Sequence, residues 1–332
     1  MRIGIDSGGT FTDFVVLDGE GRLSSFKLRS NPSAPHEVIL EGIRRAAGRV
    51  RAEVVHGSTV ATNALLERKG AECAFVTTAG FEDLLEIGRQ NRPKLFDLAP
   101  GPRRLLIARE RCFGVDERTH ADGSIARRPS KAELKRVKAA VKRAGVRSVA
   151  VCLLHAWRTP ENERAVLEAL GGEFDVSVSH EICPEFREYE RASTTALNAY
   201  VGPLMRDYLS KLALEKRHRI SVVQSNGGSM TLEEASRQAV RTILSGPAGG
   251  VSGAMEVARA SGFGKVLGFD MGGTSTDVHL SDGAPAETME AAVDGFPVRV
   301  PMLEIHTVGA GGGSIARVDA GGLLRVGPES AG

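Results

Sequence analysis

Gly4-Ile5-Asp6-Ser7-Gly8-Gly9-Thr10-Phe11-Thr12-Asp13-Phe14-Val15-Val16-Leu17-Asp18-Gly19 recurs 264 residues later as Gly268-Phe269-Asp270-Met271-Gly272-Gly273-Thr274-Ser275-Thr276-Asp277-Val278-His279-Leu280-Ser281-Asp282-Gly283. Nine of the sixteen positions are identical. Each copy reads as an apolar strand, an aspartate at its end, a glycine hairpin, a hydroxyl-rich start to the next strand and an acidic turn. So long an offset excludes a short-period solenoid and implies two similar subdomains in one chain.

The chemistry offered by each copy is phosphate binding. Gly8-Gly9 and Gly272-Gly273 carry no Cβ, so phosphate oxygens can approach backbone N–H groups. Thr10, Thr12, Thr274, Ser275 and Thr276 bring hydroxyl donors, and Asp13, next to Thr12, is a further expected cofactor-binding position. Asp6 and Asp270 stand at strand ends, where they can hold Mg2+ through water; that cation favours a few carboxylates plus waters. Asp6, Asp270, Thr10 and Thr274 are therefore the expected catalytic positions. One copy alone would read as an ordinary Asp-x-Gly turn; the duplication with shared flanks favours a ligand. Neither copy matches the G-x-x-x-x-G-K-[ST] loop, and no dinucleotide fingerprint follows a first strand.

Around the repeat, strands and helices alternate. A meander over residues 1–28 leads to a helix from Pro35, a strand at 53–56 and a helix to about Lys69. Strands at 73–77, 110–115, 148–154 and 175–179 follow, with helices at 81–87, 130–144 and 160–170 between them, implying a largely parallel, helix-covered sheet. Residues 185–216 read as two helices meeting at Gly202-Pro203. A strand at 220–224, a helix at 232–239, a short strand at 240–244 and a helix at 251–260 lead to the second copy. The basic stretch 127–147 places Leu134, Val137 and Val141 at helical spacing and reads as a solvated amphipathic helix.

Composition narrows the function. The 332 residues hold 43 Lys+Arg against 41 Asp+Glu, a net charge of +2, which argues against nucleic-acid binding. Aromatics at 5% are too few for a stacking platform. Four cysteines are at least 31 residues apart, so there is no C-x-x-C pair and no demand for an oxidising compartment. No signal-type apolar segment opens the chain and no run approaches a membrane span. The expectation is a soluble, cytoplasmic protein with neither nucleic acid nor membrane as a partner.

Two such hairpins facing across a cleft resemble the actin-like ATPase superfamily. The flanking motifs narrow this. They are Met1–Asp13, His56-Gly57-Ser58-Thr59-Val60-Ala61-Thr62-Asn63, Ile87-Gly88-Arg89-Gln90, Gln224-Ser225-Asn226-Gly227-Gly228, Leu244-Ser245-Gly246-Pro247-Ala248-Gly249-Gly250, the second hairpin and His306–Ser314. Together they are similar to the hydantoinase A/5-oxoprolinase family. The resemblance implies an α/β, actin-like (ribonuclease H-like) fold of two related lobes with mixed sheets flanked by helices, the second lobe incomplete. It implies ATP and Mg2+ as cofactors and ATP-dependent opening of a small cyclic amide, such as 5-oxoproline or a hydantoin, by phosphorylation of its carbonyl oxygen. It also implies a hydantoinase B-type partner subunit or domain and a homo- or hetero-oligomer. The alternatives are a subunit of an acetone- or acetophenone-type carboxylase and an inactive nucleotide-binding scaffold.

Within this frame the expected substrate contacts are His56, Thr59 and Asn63, the Arg89 guanidinium as a carboxylate clamp, and Asn226, Gly227, Gly246, Gly311 and Gly312 in glycine-rich loops. Each has a plainer reading: His56 as a satisfied interior histidine, Thr59 as a helix cap, Arg89 as a helix-end cation, the glycines as tight turns. Glu304 and His306 read either as a metal or acid–base pair or as a satisfied polar pair on a strand. The expected division is 1–184 for a lobe with the first hairpin and 185–332 for bridging helices and a partial second lobe. The expectation is also that the family's sequence continues beyond Gly332, including the segment that cradles adenosine.

Overall fold

The computed structural model describes residues 1–91, 96, 104–273 and 275–331. Alternation of side chains builds its first sheet. In β1 (Arg2–Ser7), Ile3, Ile5 and Ser7 are buried while Arg2, Gly4 and Asp6 are exposed. In β2 (Phe11–Leu17), Val16, Phe14 and Thr12 lie opposite Ile3, Ile5 and Ser7, so they share that buried face. β3 (Leu23–Arg29) completes the antiparallel meander. The helix α1 (Pro35–Ala47) brings Ile39 and Ile43 onto the apolar side. It approaches so closely that a Cβ on Gly42 would lie 2.0 Å from the Phe14 ring, which explains the glycine. β4 (Glu53–Ser58) then pairs parallel with β1.

The sheet is finished from far along the chain. The strand Arg219–Val223 pairs parallel with β4, and Ser229–Thr231 pairs antiparallel beyond it. The six-stranded sheet thus crosses the expected boundary at 184/185, because parallel neighbours need a long crossover. That crossover contains a second sheet of four parallel strands, in the order Asp175–Val178, Ser148–Cys152, β5 (Cys73–Thr78), β6 (Cys112–Val115). All six residues of β5 are buried, as expected for a strand covered on both faces. Helix Lys131–Arg143 buries Val137 and Val141 against this sheet, which bears out its amphipathic reading.

Residues 188–212 form one helix, Glu188–Leu212, not two. Pro203 cannot donate to the carbonyl of Ala199. The hydroxyl of Ser148 donates to that carbonyl at 2.6 Å, so the gap in the ladder is filled from the neighbouring strand. Ser148 is 1% exposed. Ser148→Ala is therefore expected to lower stability by about 1–3 kcal/mol, the cost of a buried carbonyl without a partner, measured by urea unfolding. The expected strand at 240–244 is a 3-10 turn, Ala239–Thr242. Its backbone groups are engaged outside any sheet: Asn198 Oδ1 accepts from Val240 N, Ser225 N donates to Arg241 O, and the Ser225 hydroxyl lies within bonding distance of the Arg241 and Ile243 carbonyls, either of which can take its one proton. The four cysteines are free and buried, and burial pushes the Cys73, Cys112 and Cys183 thiols up to about 12.

The second copy of the repeat forms Lys265–Met271 and Thr276–Asp282, paired in the register of the first: Asp270 faces Asp277 as Asp6 faces Asp13. The cover differs. Leu267, Phe269 and Leu280 are 70%, 65% and 71% exposed, whereas their counterparts Ile3, Ile5 and Val16 are 1%, 4% and 6% exposed. Among the described residues no helix is long and apolar enough to cross a membrane.

Candidate functional site

Each hairpin closes in the same way. Gly8 N donates to Phe11 O at 3.1 Å, and Gly272 N donates to Ser275 O at 2.9 Å. The braces differ. Ser30 holds the first turn, donating from N to Thr10 O at 3.0 Å and from Oγ to Gly8 O at 2.7 Å. The second turn is held by backbone: Gly312 N donates to Gly272 O at 2.9 Å and Gly313 N to Gly273 O at 2.7 Å. A Cβ on Gly311 would lie 2.6 Å from Gly272 O, so this glycine exists for close approach to the hairpin. Gly311 and Gly312, expected to touch substrate, instead clamp the second turn.

The threonines after the turns are likewise braces. Thr12 is 1% exposed and its hydroxyl bonds that of Ser30 at 3.0 Å. Thr276 is 4% exposed and donates to Ala310 O at 2.7 Å. Asp13 pairs with Lys27 at 3.2 Å. Thr274 lies outside the described residues. The tips themselves are open: a Cβ on Gly9 or Gly273 would meet nothing within 4 Å.

Asp6 joins the two copies. Its Oδ1 lies 3.6 Å from the position of a Cβ on Gly57 and 3.9 Å from that on Gly246, so two glycines keep the space around it clear. Solvent still reaches Asp6, yet its carboxyl is raised above the ordinary range, first by the protein crowded around it, then by the charges of Asp13 and Asp270. The charge of Asp270 is close enough to act on Asp6, so the ends of the two hairpin strands lie near one another. A cation between such carboxylates relieves the repulsion, and the donors are hard oxygens that suit Mg2+. No three His, Cys, Asp or Glu side chains form a ready metal cage among the described residues. The helix Ser245–Ala260 begins at the glycine-rich loop itself, not at 251, with Pro247 in its first turn. Its N-terminal, electropositive end with Gly246 therefore stands beside Asp6, at a place suited to an anion.

Four of the expected contacts are engaged within the chain itself. His56 is 0% exposed; its Nε2 meets the Tyr208 hydroxyl, and its Nδ1 lies against the Ile5 backbone without a well-formed hydrogen bond. It is an interior histidine. Arg89 clamps a carboxylate of its own chain, Glu190, with contacts of 2.7 and 2.5 Å. Asn226 Oδ1 accepts from Gly228 N at 3.1 Å, and Gly227, at φ 79°, packs against Ser252; this is a tight turn. Glu304 and His306 are exposed.

Burial lowers the His56 pKa to about 4 from 6.5. The unfolded chain therefore takes up a proton between these values and the folded protein does not. His56 adds to stability fully above pH 6.5, and that contribution is lost as pH falls to 4, about 3 kcal/mol in all. His56→Gln is expected to flatten this part of the pH dependence, read from urea midpoints at pH 7 and pH 4.5.

Thr59 and Asn63 remain near the first hairpin. Thr59 Oγ1 donates to Ser7 O at 3.1 Å, and Asn63 Nδ2 is 3.4 Å from Thr59 Oγ1. Both border a cavity of about 300 Å3 that also touches Ser7, Gly8, Gly9 and Tyr208. Ser30 and Tyr208 escaped the sequence reading because each acts from a distant element whose packing no local spacing reveals.

Comparison with known proteins supplies the context. Residues 2–174 match the hydantoinase/oxoprolinase N-terminal region, and residues 191–332 match the hydantoinase/oxoprolinase family. The caprolactamase subunit alpha of Pseudomonas jessenii is 35% identical over 355 residues, covering all of this chain and 51% of that protein. The 5-oxoprolinase of Saccharomyces cerevisiae is 33% identical over 386 residues, with 30% of it covered. The crystal structure of the ATP-dependent caprolactamase from P. jessenii superposes with a TM-score of 0.88 at 34% identity over 51% of its chain. Nucleotide-free acetone carboxylase superposes with a TM-score of 0.85 at 26% identity, again over 51%. The chain spans about half the length, or less, of the relatives it matches.

Proposed function

The chain belongs to the hydantoinase/oxoprolinase family, and from that premise we propose that it carries the phosphate-gripping part of an ATP-dependent enzyme that opens a small cyclic amide. The observation that carries this reading is the pair of hairpins in the same register with open glycine tips, supported by the nearness of the Asp6 and Asp270 charges. Relatives named 5-oxoprolinase and caprolactamase supply the reaction class.

Bound ATP would supply phosphorylation of the amide oxygen, which makes the carbonyl carbon open to water so that the ring C–N bond can break and the phosphate can be released from the opened product. The residues of this chain position groups and balance charge, as phosphoryl transfer requires. The open tips at Gly9 and Gly273, where no side chain intrudes, let phosphate oxygens approach the backbone of each hairpin. Asp6 and Asp270 would hold Mg2+ through water. The electropositive end of helix Ser245–Ala260 favours an anion beside Asp6. A partner subunit of the hydantoinase B type would complete the enzyme, and the reaction would run in the cytoplasm.

The test is ATP turnover by the protein with its partner subunit, in the presence of 5-oxoproline, hydantoin or caprolactam, against acetone plus bicarbonate. Stimulation by a cyclic amide, lost 100-fold or more in Asp6→Asn, is the expected result. Stimulation only by ketone and bicarbonate would assign the chain to the carboxylases. Mg-ATP binding without turnover under any of these conditions would make it a scaffold.

A further inference from the structure

We propose that the first hairpin works on both of its faces: phosphate on the Asp6 side, and the ring substrate in the 300 Å3 cavity on the Ser7 side, recognised by Asn63. This rests on the cyclic-amide reading above, but places the ring away from the cleft between the two glycine hairpins.

The strand alternation makes the two faces. Asp6 points with Arg2 and Gly4 to the exposed side, towards Gly57, Gly246 and Asp270. Ser7 points with Ile3 and Ile5 to the side of α1 and the long helix. There the cavity opens between the hairpin, residues 30–36, Val60–Leu66 and the far half of Glu188–Leu212. Neither Asp6, Gly246 nor any residue of the second hairpin borders it. The tip, Gly8-Gly9, borders the cavity and follows Asp6 by two residues, and Gly9 has no neighbour within 4 Å of a Cβ. A ring carbonyl and a terminal phosphate can meet there.

Size and chemistry select the ligand. About 300 Å3 is at the small end of ligand sites, roughly 300–1,000 Å3, and suits a five- to seven-membered ring rather than a nucleotide. Val60, Ala64 and Leu204 give apolar walls for ring methylenes. A lactam is locked cis, so its N–H and C=O lie on one edge. A carboxamide presents one acceptor and donors in one plane and matches that edge with two hydrogen bonds. Asn63 is exposed, and among the described residues its side chain makes one bond, the long 3.4 Å contact to Thr59, so the carboxamide can turn. Thr59, bonded to Ser7 O, sets the distance between this helix and the hairpin. Charge does not select: Lys69 is paired with Glu67 at 2.5 Å and Lys211 with Asp207 at 2.8 Å, leaving the mouth balanced.

Isothermal titration of the full chain with 5-oxoproline and with caprolactam, with and without Mg-ATP, tests this. Asn63→Ala and, independently, Leu204→Trp, which fills the cavity, are expected to weaken ring binding tenfold or more while Mg-ATP binding stays within twofold. Without Mg-ATP, Gly273→Ala in the second hairpin, which does not border the cavity, should leave ring binding unchanged. Ring binding that survives both cavity variants, or that Gly273→Ala weakens as much, would overturn the placement. A wild-type chain that binds Mg-ATP but neither ring would overturn it too, leaving the phosphate reading intact; failure to bind Mg-ATP would strike the functional reading itself.

Discussion

Gly9→Ala and Gly273→Ala are each expected to weaken Mg-ATP binding at least tenfold while the urea midpoint holds or rises. Neither glycine has a positive φ, and a methyl group at either tip meets no protein atom within 4 Å. The free protein therefore accepts alanine, and the reduced freedom of the unfolded chain adds up to about 1 kcal/mol of stability. The same methyl occupies the space through which a phosphate oxygen would reach the backbone. Gly311→Ala separates the two effects. Its Cβ would press on Gly272 O and on the Gly273 and Ser275 backbone at 2.6–2.8 Å, so binding and stability should fall together. Titration calorimetry and urea unfolding on the three variants measure both quantities.

The largest loss of stability is expected from Glu163→Ala, about 3–5 kcal/mol by urea unfolding. Glu163 is 0% exposed. It accepts from Leu153 N at 2.8 Å, Ser179 Oγ at 2.6 Å and His180 N at 3.0 Å, with His180 Nδ1 at 2.6 Å. Alanine leaves these buried donors without an acceptor and opens a cavity. Glu163→Gln keeps one acceptor oxygen and the volume, so it should cost less than half as much. The carboxylate ties the end of strand Ser148–Cys152 to the turn at Ser179–Ile182. Arg191 reinforces the same corner by donating to Leu153 O at 2.8 Å. The long helix that walls the proposed ring cavity is thereby fixed to the parallel sheet.

The repeat was legible because it is local. Nine identities carried the strand, the turn and the next strand together, and the register of both hairpins follows them residue for residue. The alternation of strands and helices through residues 73–178 was legible for the same reason. What failed was set by contacts between distant residues. Pro203 marks a helix break by its own chemistry, but Ser148, on another element, removes the reason to break. Arg89 in a polar loop looks like a ligand clamp until Glu190 is seen to fill it. The glycines at 311–313 announced close approach; nothing local said that the thing approached is the second hairpin. His56 falls with Val54 on the buried side of its strand, and its packing against the distant Tyr208 hydroxyl removes it from the site.

The sharpest test of two turns closing on one triphosphate is paramagnetic broadening of backbone amides by Mn-ATP in the full chain. Gly9 and Gly273 should broaden together, along one saturation curve, and recover together when excess Mg-ATP displaces the probe. Broadening of one amide with the other untouched, or two curves with different midpoints, would contradict a shared grip.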